Sequence, residues 1–266
     1  MKKIIFLSIL ISVFTSMAEA KSLCIAHRGH IEKHLENSLE ALKSAMDIGA
    51  GGIEFDVVHT AEGFPIIMHD QSLGRTTQTK SGHALLYPEN KDKIKCPDKS
   101  IKKLTYKEIA NQCELKNGSP IPTLEDLLKL ITSHNYQGNI FIEFKDIPSL
   151  TTMELIESYL GPSMDRVRLL SFKSKALDVA YQYSDKFPLL SKSKAFQLYV
   201  FFKKPKNDYG LNVRFGRGRL KKMAKHEDRE TSVWTVNGGG KILEAASKKV
   251  DFITTNSLEL CLSLLP

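Results

Sequence analysis

The chain has 266 residues and a formal net charge of +8, from 38 Lys and Arg against 30 Asp and Glu. That length suits one large domain with enough core to be stable alone, and the basic balance favours anionic partners while saying nothing of the fold. No apolar run beyond residue 20 is long enough to span a bilayer, which excludes a later transmembrane helix.

Residues 1–20, MKKIIFLSILISVFTSMAEA, join two lysines to an apolar run and a small-x-small cleavage site, Ala18-Glu19-Ala20. This predicts a signal peptide, and a soluble mature chain from near Lys21 that is exported, periplasmic or secreted. Ser22-Leu23 is in the wrong order for a lipoprotein box before Cys24. Export permits disulfides. Cys96 and Cys113 bracket a short polar segment and are expected to bridge. Cys24, in an apolar strand, and Cys261, in an apolar terminal helix, suit free buried thiols as well as a bond. No CxxC or Cys/His cluster suggests zinc.

LCIA (23–26) is the first strand expected. A helix should begin at Asn37, where Asn37 and Glu40 form a capping-box pattern, and stop at Gly49. IEFDVV (53–58) follows, then FPIIMHD (64–70) as a second extended piece. Further strands are NIFIEF (139–144), RVRLLSF (166–172), FPLLS (187–191), GLNVRF (210–215), SVWTV (232–236) and FITTN (252–256). Amphipathic helical patterns lie between them. Counting FPIIMHD with the second strand gives eight β/α steps, the arithmetic of an α/β TIM (β/α)8 barrel. The span from 71 to about 121 is too long and polar for a βα loop. It predicts a small insertion after the second strand, rejoining at PTLEDLLKLI (122–131) with Thr123 as the cap. No repeat or linker divides residues 21–266, which predict a single domain.

Glu54 and Asp56 are two apart, so on an extended strand both face one way. In a TIM barrel the chemistry sits at the C-terminal strand ends. There the pattern gathers Glu54, Asp56, Glu143, His27, Arg28, His69 and Lys145. Three converging carboxylates suit a hard divalent cation, Ca²⁺ or Mg²⁺; the alternative is structural ion pairs to Lys145 and Arg28. Two rim histidines, His27 and His69, suit general acid/base work better than core packing. Arg28 can grip phosphate oxygens. Trp234 either lines the pocket or packs in the core. His30 and His34 lack the HExxH glutamate and read as loop surface, and Gly238-Gly239-Gly240-Lys241 reads as a strand-to-helix turn, not a P-loop. The basic runs RFGRGRLKKMAKH (214–226) and FFKKPK (201–206) read most economically as solvated helix faces and loops, with weak contact to anionic lipid headgroups as the secondary reading. No nucleic-acid partner is expected, and the oligomeric state is open.

HRG at 27–29, EN at 36–37, EFD at 54–56, HD at 69–70, LGRTT at 73–77, IPTLEDLL at 121–128, EFK at 143–145, SF at 171–172 and VWTVN at 233–237 resemble the glycerophosphodiester phosphodiesterase family in order and spacing. The resemblance covers nearly the whole mature chain. It implies a TIM barrel with an insertion after the second strand, and a divalent metal on Glu54, Asp56 and Glu143. It also implies His27 and His69 as the acid/base pair, with Arg28 and Lys145 holding phosphate. Leu35, Ser38, Phe252 and Asn256 depart from the pattern, Asn256 standing where aspartate is common. The expected activity is hydrolysis of glycerophosphodiesters, such as glycerophosphocholine, to glycerol 3-phosphate and an alcohol. A lysophospholipase D-like or sphingomyelinase D-like enzyme would need an apolar mouth, for which FQLYVFF (196–202) is the candidate wall. A non-catalytic, basic lipid-surface protein would have lost a motif residue, and none is lost.

Overall fold

The structure, a computed structural model, describes residues 22–80, 96, 99–199, 209–226 and 228–266. The expected signal peptide, the run FFKKPK and the end of FQLYVFF lie outside the described residues. The first elements are β1 (Leu23–His27), α1 (Leu39–Asp47), β2 (Gly52–His59), β3 (Pro65–Ile67) and β4 (Thr77–Thr79). Next come α2 (Tyr106–Gln112), β5 (Cys113–Leu115), α3 (Leu124–Ser133), β6 (Asn139–Phe144), α4 (Leu150–Leu160), β7 (Val167–Ser171) and α5 (Ser174–Gln182). The chain ends through β8 (Lys194–Tyr199), β9 (Gly210–Arg214), α6 (Arg217–Met223), β10 (Thr231–Trp234), α7 (Gly239–Ala246), β11 (Phe252–Thr255) and α8 (Leu258–Leu264).

Eight of these strands pair in parallel, β1-β2-β6-β7-β8-β9-β10-β11, and β11 returns to β1. This is the TIM (β/α)8 barrel that the pattern of alternating elements predicts. Strand alternation sorts the side chains. Ile53, Phe55 and Val57 of β2 pack outward with the helices, which leaves Glu54 and Asp56 pointing inward. The barrel interior is filled by Ile25, Phe141, Leu170, Phe196, Leu198 and Phe252. Its lower end is closed by Arg168, whose guanidinium lies 5.3 Å from the Phe252 ring centroid and bonds Glu230 at 3.0 and 3.1 Å. Gly210 admits that filling, because a Cβ there would meet the Phe196 ring at 2.7 Å.

Two local expectations need correction. FPLLS is not the fifth strand but a 3₁₀ turn, Pro188–Lys192, and β8 follows it. Pro188 has no N–H for a ladder, whereas β8 turns Phe196 and Leu198 into the barrel. FQLY, the described part of the candidate wall, is therefore barrel strand with Leu198 turned inward. The first helix starts one residue late as well. Ser38, not Asn37, caps α1, its Oγ accepting from the Ala41 N–H at 3.1 Å. Thr123 does cap α3, in a reciprocal box with Asp126.

FPIIMHD folds back as β3, antiparallel to β2, with Val57 opposite Ile67. That hairpin returns His69 to the upper rim. Beyond it, β4 and β5 pair as a two-stranded ribbon over a separate small core that includes Leu73, Ile101, Ile109 and Leu115.

Both possible staples are present: Cys96 bonds Cys113, and Cys24 of β1 bonds Cys261 of α8. The second closes a loop of 237 residues, for which chain entropy gives about 5 kcal/mol. Peptide mapping without reductant should join these two pairs. Cys24→Ala with Cys261→Ala should lower the unfolding free energy by roughly 2–5 kcal/mol in denaturant titration. An unchanged midpoint would show that the bond does not constrain the unfolded chain.

Candidate active site

His27 ends β1, and the two residues after it both take left-handed backbone, Arg28 at φ 58 and Gly29 at φ 90. The turn brings Gly29 so close to α1 that a Cβ would lie 2.6 Å from the Ala41 carbonyl carbon. Only glycine fits there. The same turn aims the Arg28 N–H at Glu54 Oε2, 2.9 Å away. The Arg28 side chain then reaches Glu36 Oε1 at 2.9 Å and Asp56 Oδ2 at 3.2 Å.

Asp56 is fully buried and surrounded by donors. Lys145 Nζ is 2.7 Å from Oδ1, and Asn37 Nδ2 donates to Oδ2 at 2.8 Å. Asn37, at φ 58, also accepts from the Asp56 N–H at 3.2 Å. Burial pushes the Asp56 carboxyl up, but Lys145 and Arg28 outweigh it and hold it at about 2. Glu54 and Glu143 have no such surplus. Burial, then Asp56 and Glu143, raises Glu54 well above the ordinary carboxylate range. Burial and Asp56 push Glu143 to about 7, although Lys145 also bonds its Oε1.

Glu54, Asp56 and Glu143 present ligand atoms that all lie within 4.8 Å of one another. The ion-pair alternative accounts for Asp56 but not for Glu54, whose Oε1 is buried with no hydrogen-bond partner. An orphaned carboxylate oxygen beside two other carboxylates fits a hard cation, which accepts an all-oxygen donor set.

Of the predicted site residues, His27, Arg28, Glu54, His69, Glu143, Lys145 and Trp234 line one cavity of about 140 Å³. Asp56 lies beneath its floor. His27 Nδ1 sits 2.6 Å from Asn256 Oδ1. A carboxamide oxygen only accepts, so Nδ1 carries the proton and Nε2 keeps its lone pair. Burial and then Arg28 lower the His27 pKa to about 4, so the ring is neutral at pH 7. His69 Nδ1 meets a carboxylate instead, Asp70 Oδ1 at 2.7 Å. Trp234 stands edge-on to Phe172, centroids 5.4 Å apart.

Four residues of the site were given no part in the chemistry from their spacing: Glu36, Asn37 (read only as a helix cap), Asp70 and Arg75. Arg75 bonds Asp70 Oδ2 at 2.5 Å and both oxygens of Glu36 at 2.7 and 2.8 Å. A chain of alternating charge therefore runs from Asp56 through Arg28, Glu36 and Arg75 to Asp70, which in turn contacts His69. The EN, HD and LGRTT motifs carried that signal, without saying which residues would touch. His30, expected at the surface, is instead 2% exposed and stands apart from the cavity.

The family model for the glycerophosphoryl diester phosphodiesterase family matches residues 27–260. A glycerophosphodiester phosphodiesterase of Bacillus altitudinis is 30% identical over 87% of this chain and 93% of its own. One from Caldanaerobacter subterraneus is 36% identical over 46% of each chain, so the match spans about half the length of that relative. Among solved structures, an Oleispira antarctica phosphodiesterase in complex with its product sn-glycerol-3-phosphate shares the fold at TM-score 0.68 and 20% identity, covering 92% of this chain and 96% of its own.

The perturbed carboxyls carry a pH signature. Between its ordinary 4.5 and about 7, Glu143 keeps a proton in the folded chain that the unfolded chain releases. Its stabilising contribution is complete below 4.5 and is lost as pH rises through about 7. His27, lowered from 6.5 to about 4, acts in the opposite direction, so a difference measurement is needed. In chelator, wild type should lose stability relative to Glu143→Gln as pH rises across that window. Parallel stability–pH curves for the two proteins would contradict the raised carboxyl.

Proposed function

The chain belongs to the glycerophosphoryl diester phosphodiesterase family, and on that premise we propose that it hydrolyses glycerophosphodiesters, such as glycerophosphocholine, to glycerol 3-phosphate and an alcohol. The observation that carries this reading is the cavity itself. It joins two imidazoles, two cationic side chains and a carboxylate cluster in a space lined on one side by Trp234 and Phe172. The product in the Oleispira structure is the one this reading requires of that protein's relative here.

Glu54, Asp56 and Glu143 would hold the divalent cation, Ca²⁺ or Mg²⁺, which when bound supplies charge neutralisation at the phosphate. Arg28 and Lys145 bind and orient the phosphate oxygens. His27, neutral with a free Nε2, takes the proton from the attacking oxygen. His69, whose Nδ1–H is held by Asp70, delivers a proton to the leaving alcohol. The attacking oxygen is that of water or of the substrate's own glycerol hydroxyl, the second route passing through a cyclic phosphate. We place the protein outside the cytoplasm, in the periplasm or the medium. The leader-like segment at 1–20 and two disulfides support that.

A lysophospholipase D-like activity has one observation in its favour. Phe172, 44% exposed, offers an apolar surface at the cavity beside Trp234. Choline release from lysophosphatidylcholine at a rate above that from glycerophosphocholine would prefer it.

Glycerol 3-phosphate should be released from glycerophosphocholine, and chelator should abolish the reaction. Glu54→Gln should lose most activity, with part restored by excess metal; full activity in chelator would remove the metal from this reading. His27→Ala and His69→Ala should each lower turnover by about 10²–10⁴-fold with little change in melting temperature. The double variant should lose far less than the product of the two. Near-wild-type turnover in His69→Ala would move the acid elsewhere, first to Lys145.

A further inference from the structure

Behind the cavity, one buried pair of side chains has no part in the chemistry above. His59 ends β2, and strand alternation turns it outward with Val57, away from Asp56. His59 is 5% exposed, and Asp146, which follows Lys145, is 3% exposed. His59 Nδ1 bonds Asp146 Oδ1. On the other side of the ring, Nε2 meets Thr152 Oγ1 of α4 at 2.7 Å, and that oxygen meets Ser149 Oγ at 2.9 Å. Asp146 has a second cation beside it. Lys102 Nζ, from the 3₁₀ turn Ile101–Lys103 of the insertion, lies 3.1 Å from Oδ2, as an ion pair rather than a hydrogen bond. Burial pushes the Asp146 carboxyl up, but His59 and Lys102 outweigh it and keep it below the ordinary carboxylate range.

We infer that His59 and Asp146 are positioning residues for Lys145, which rests on the phosphate-binding role given to Lys145 above. The strand pattern runs on past the end of β6, since the Lys145 N–H donates to the Val57 carbonyl at 3.0 Å. Consecutive side chains on such a backbone point to opposite faces. An Asp146 fixed on the outer face therefore sends Lys145 inward, where Nζ lies 2.7 Å from Asp56 Oδ1 and also bonds Glu143. A lysine stem is flexible and carries a point charge with no geometry of its own, so its aim depends on how firmly its backbone is held. The hold here is continuous: Ser149 and Thr152 fix the ring from α4, and the ring fixes the turn. A buried ion pair adds little net stability over apolar residues of the same volume, so what this pair supplies is placement. Lys102 extends the clamp to the insertion. The insertion is thus tied to the rim by an outer route through Asp146 as well as by the inner one through Arg75.

The test follows Lys145 in two ways, one of which needs no turnover. Competitive acetylation of the full chain in chelator, read by mass spectrometry, reports how well each lysine is shielded. Steady-state kinetics on glycerophosphocholine report KM and kcat. Asp146→Ala should raise Lys145 labelling severalfold relative to a distant surface lysine such as Lys248. It should also raise KM about tenfold with kcat nearly unchanged, the mark of a lost charge-assisted contact to bound phosphate. Asp146→Asn keeps an oxygen to accept from His59 Nδ1–H and should stay near wild type on both. Lys102→Ala changes an exposed residue, so it should fold normally and move both readouts the same way by less. Wild-type Lys145 labelling in Asp146→Ala would overturn the inference. So would a fall in kcat with KM unchanged, which is what lost folded protein gives. If Asp146→Ala does not fold, Lys102→Ala decides, and unchanged Lys145 labelling there overturns the inference. Wild type that releases no glycerol 3-phosphate would instead remove the functional reading, and labelling alone then decides the positioning.

Discussion

Mutual repulsion among Glu54, Asp56 and Glu143, aimed from two neighbouring strands into one buried space, is the constraint around which the upper barrel is arranged. Like charges this close in an apolar interior are tolerated only with compensating charge or protons. The compensation is unequal. Asp56 receives Lys145, Arg28 and Asn37 and stays ionised. Glu54 and Glu143 are left with raised pKa values and, at Glu54, a bare oxygen. The apolar outer face of β2 supplies the other half of the balance, since Ile53, Phe55 and Val57 hold the strand in place against the helices. Fold stability and site electrostatics are thus separated onto the two faces of a single strand.

The consequence spreads outward through Arg28. A guanidinium shared between Asp56 and Glu36 needs Glu36 to be held in turn, and Arg75 holds it from the segment that follows β3. The same Arg75 anchors Asp70, which orients His69. The residues leading into the insertion therefore belong electrostatically to the rim. The two imidazoles end up with different partners, a neutral carboxamide for His27 and a carboxylate for His69. The two rings are thus held by different chemistry, one by a group that only accepts a hydrogen bond and one by a charged group that also meets Arg75.

The barrel was legible because inward and outward residues alternate so cleanly in IEFDVV and NIFIEF, and because helices and strands take turns along the chain. The gathering of the eight candidate site residues in one place was legible for a related reason. All lie on strands of the sheet or on the turns that follow them, where position in the fold decides position in space. What stayed hidden depended on contacts between segments distant in sequence. FPLLS and KAFQLY are both short and apolar, and only the missing N–H of Pro188 separates them. Asn37 has the residue type of a helix cap, but its side chain is taken by Asp56 nineteen positions on. His30 looks like loop surface until α8, from the far end of the chain, covers it.

The bond between Cys24 and Cys261 joins the first strand to the last helix across 237 residues. Its consequence lies in the order of events rather than in strength. β1 has its two neighbours, β2 and β11, at opposite ends of the sequence, so a chain emerging from its N-terminus can satisfy one side of β1 early and must leave the other open until nearly everything else has appeared. Sealing the ring is then the final act of assembly. Once the sulfurs have joined, the seam can breathe but the two ends can no longer drift apart, and any opening is followed by closure at the same edge instead of by an encounter with a neighbouring molecule.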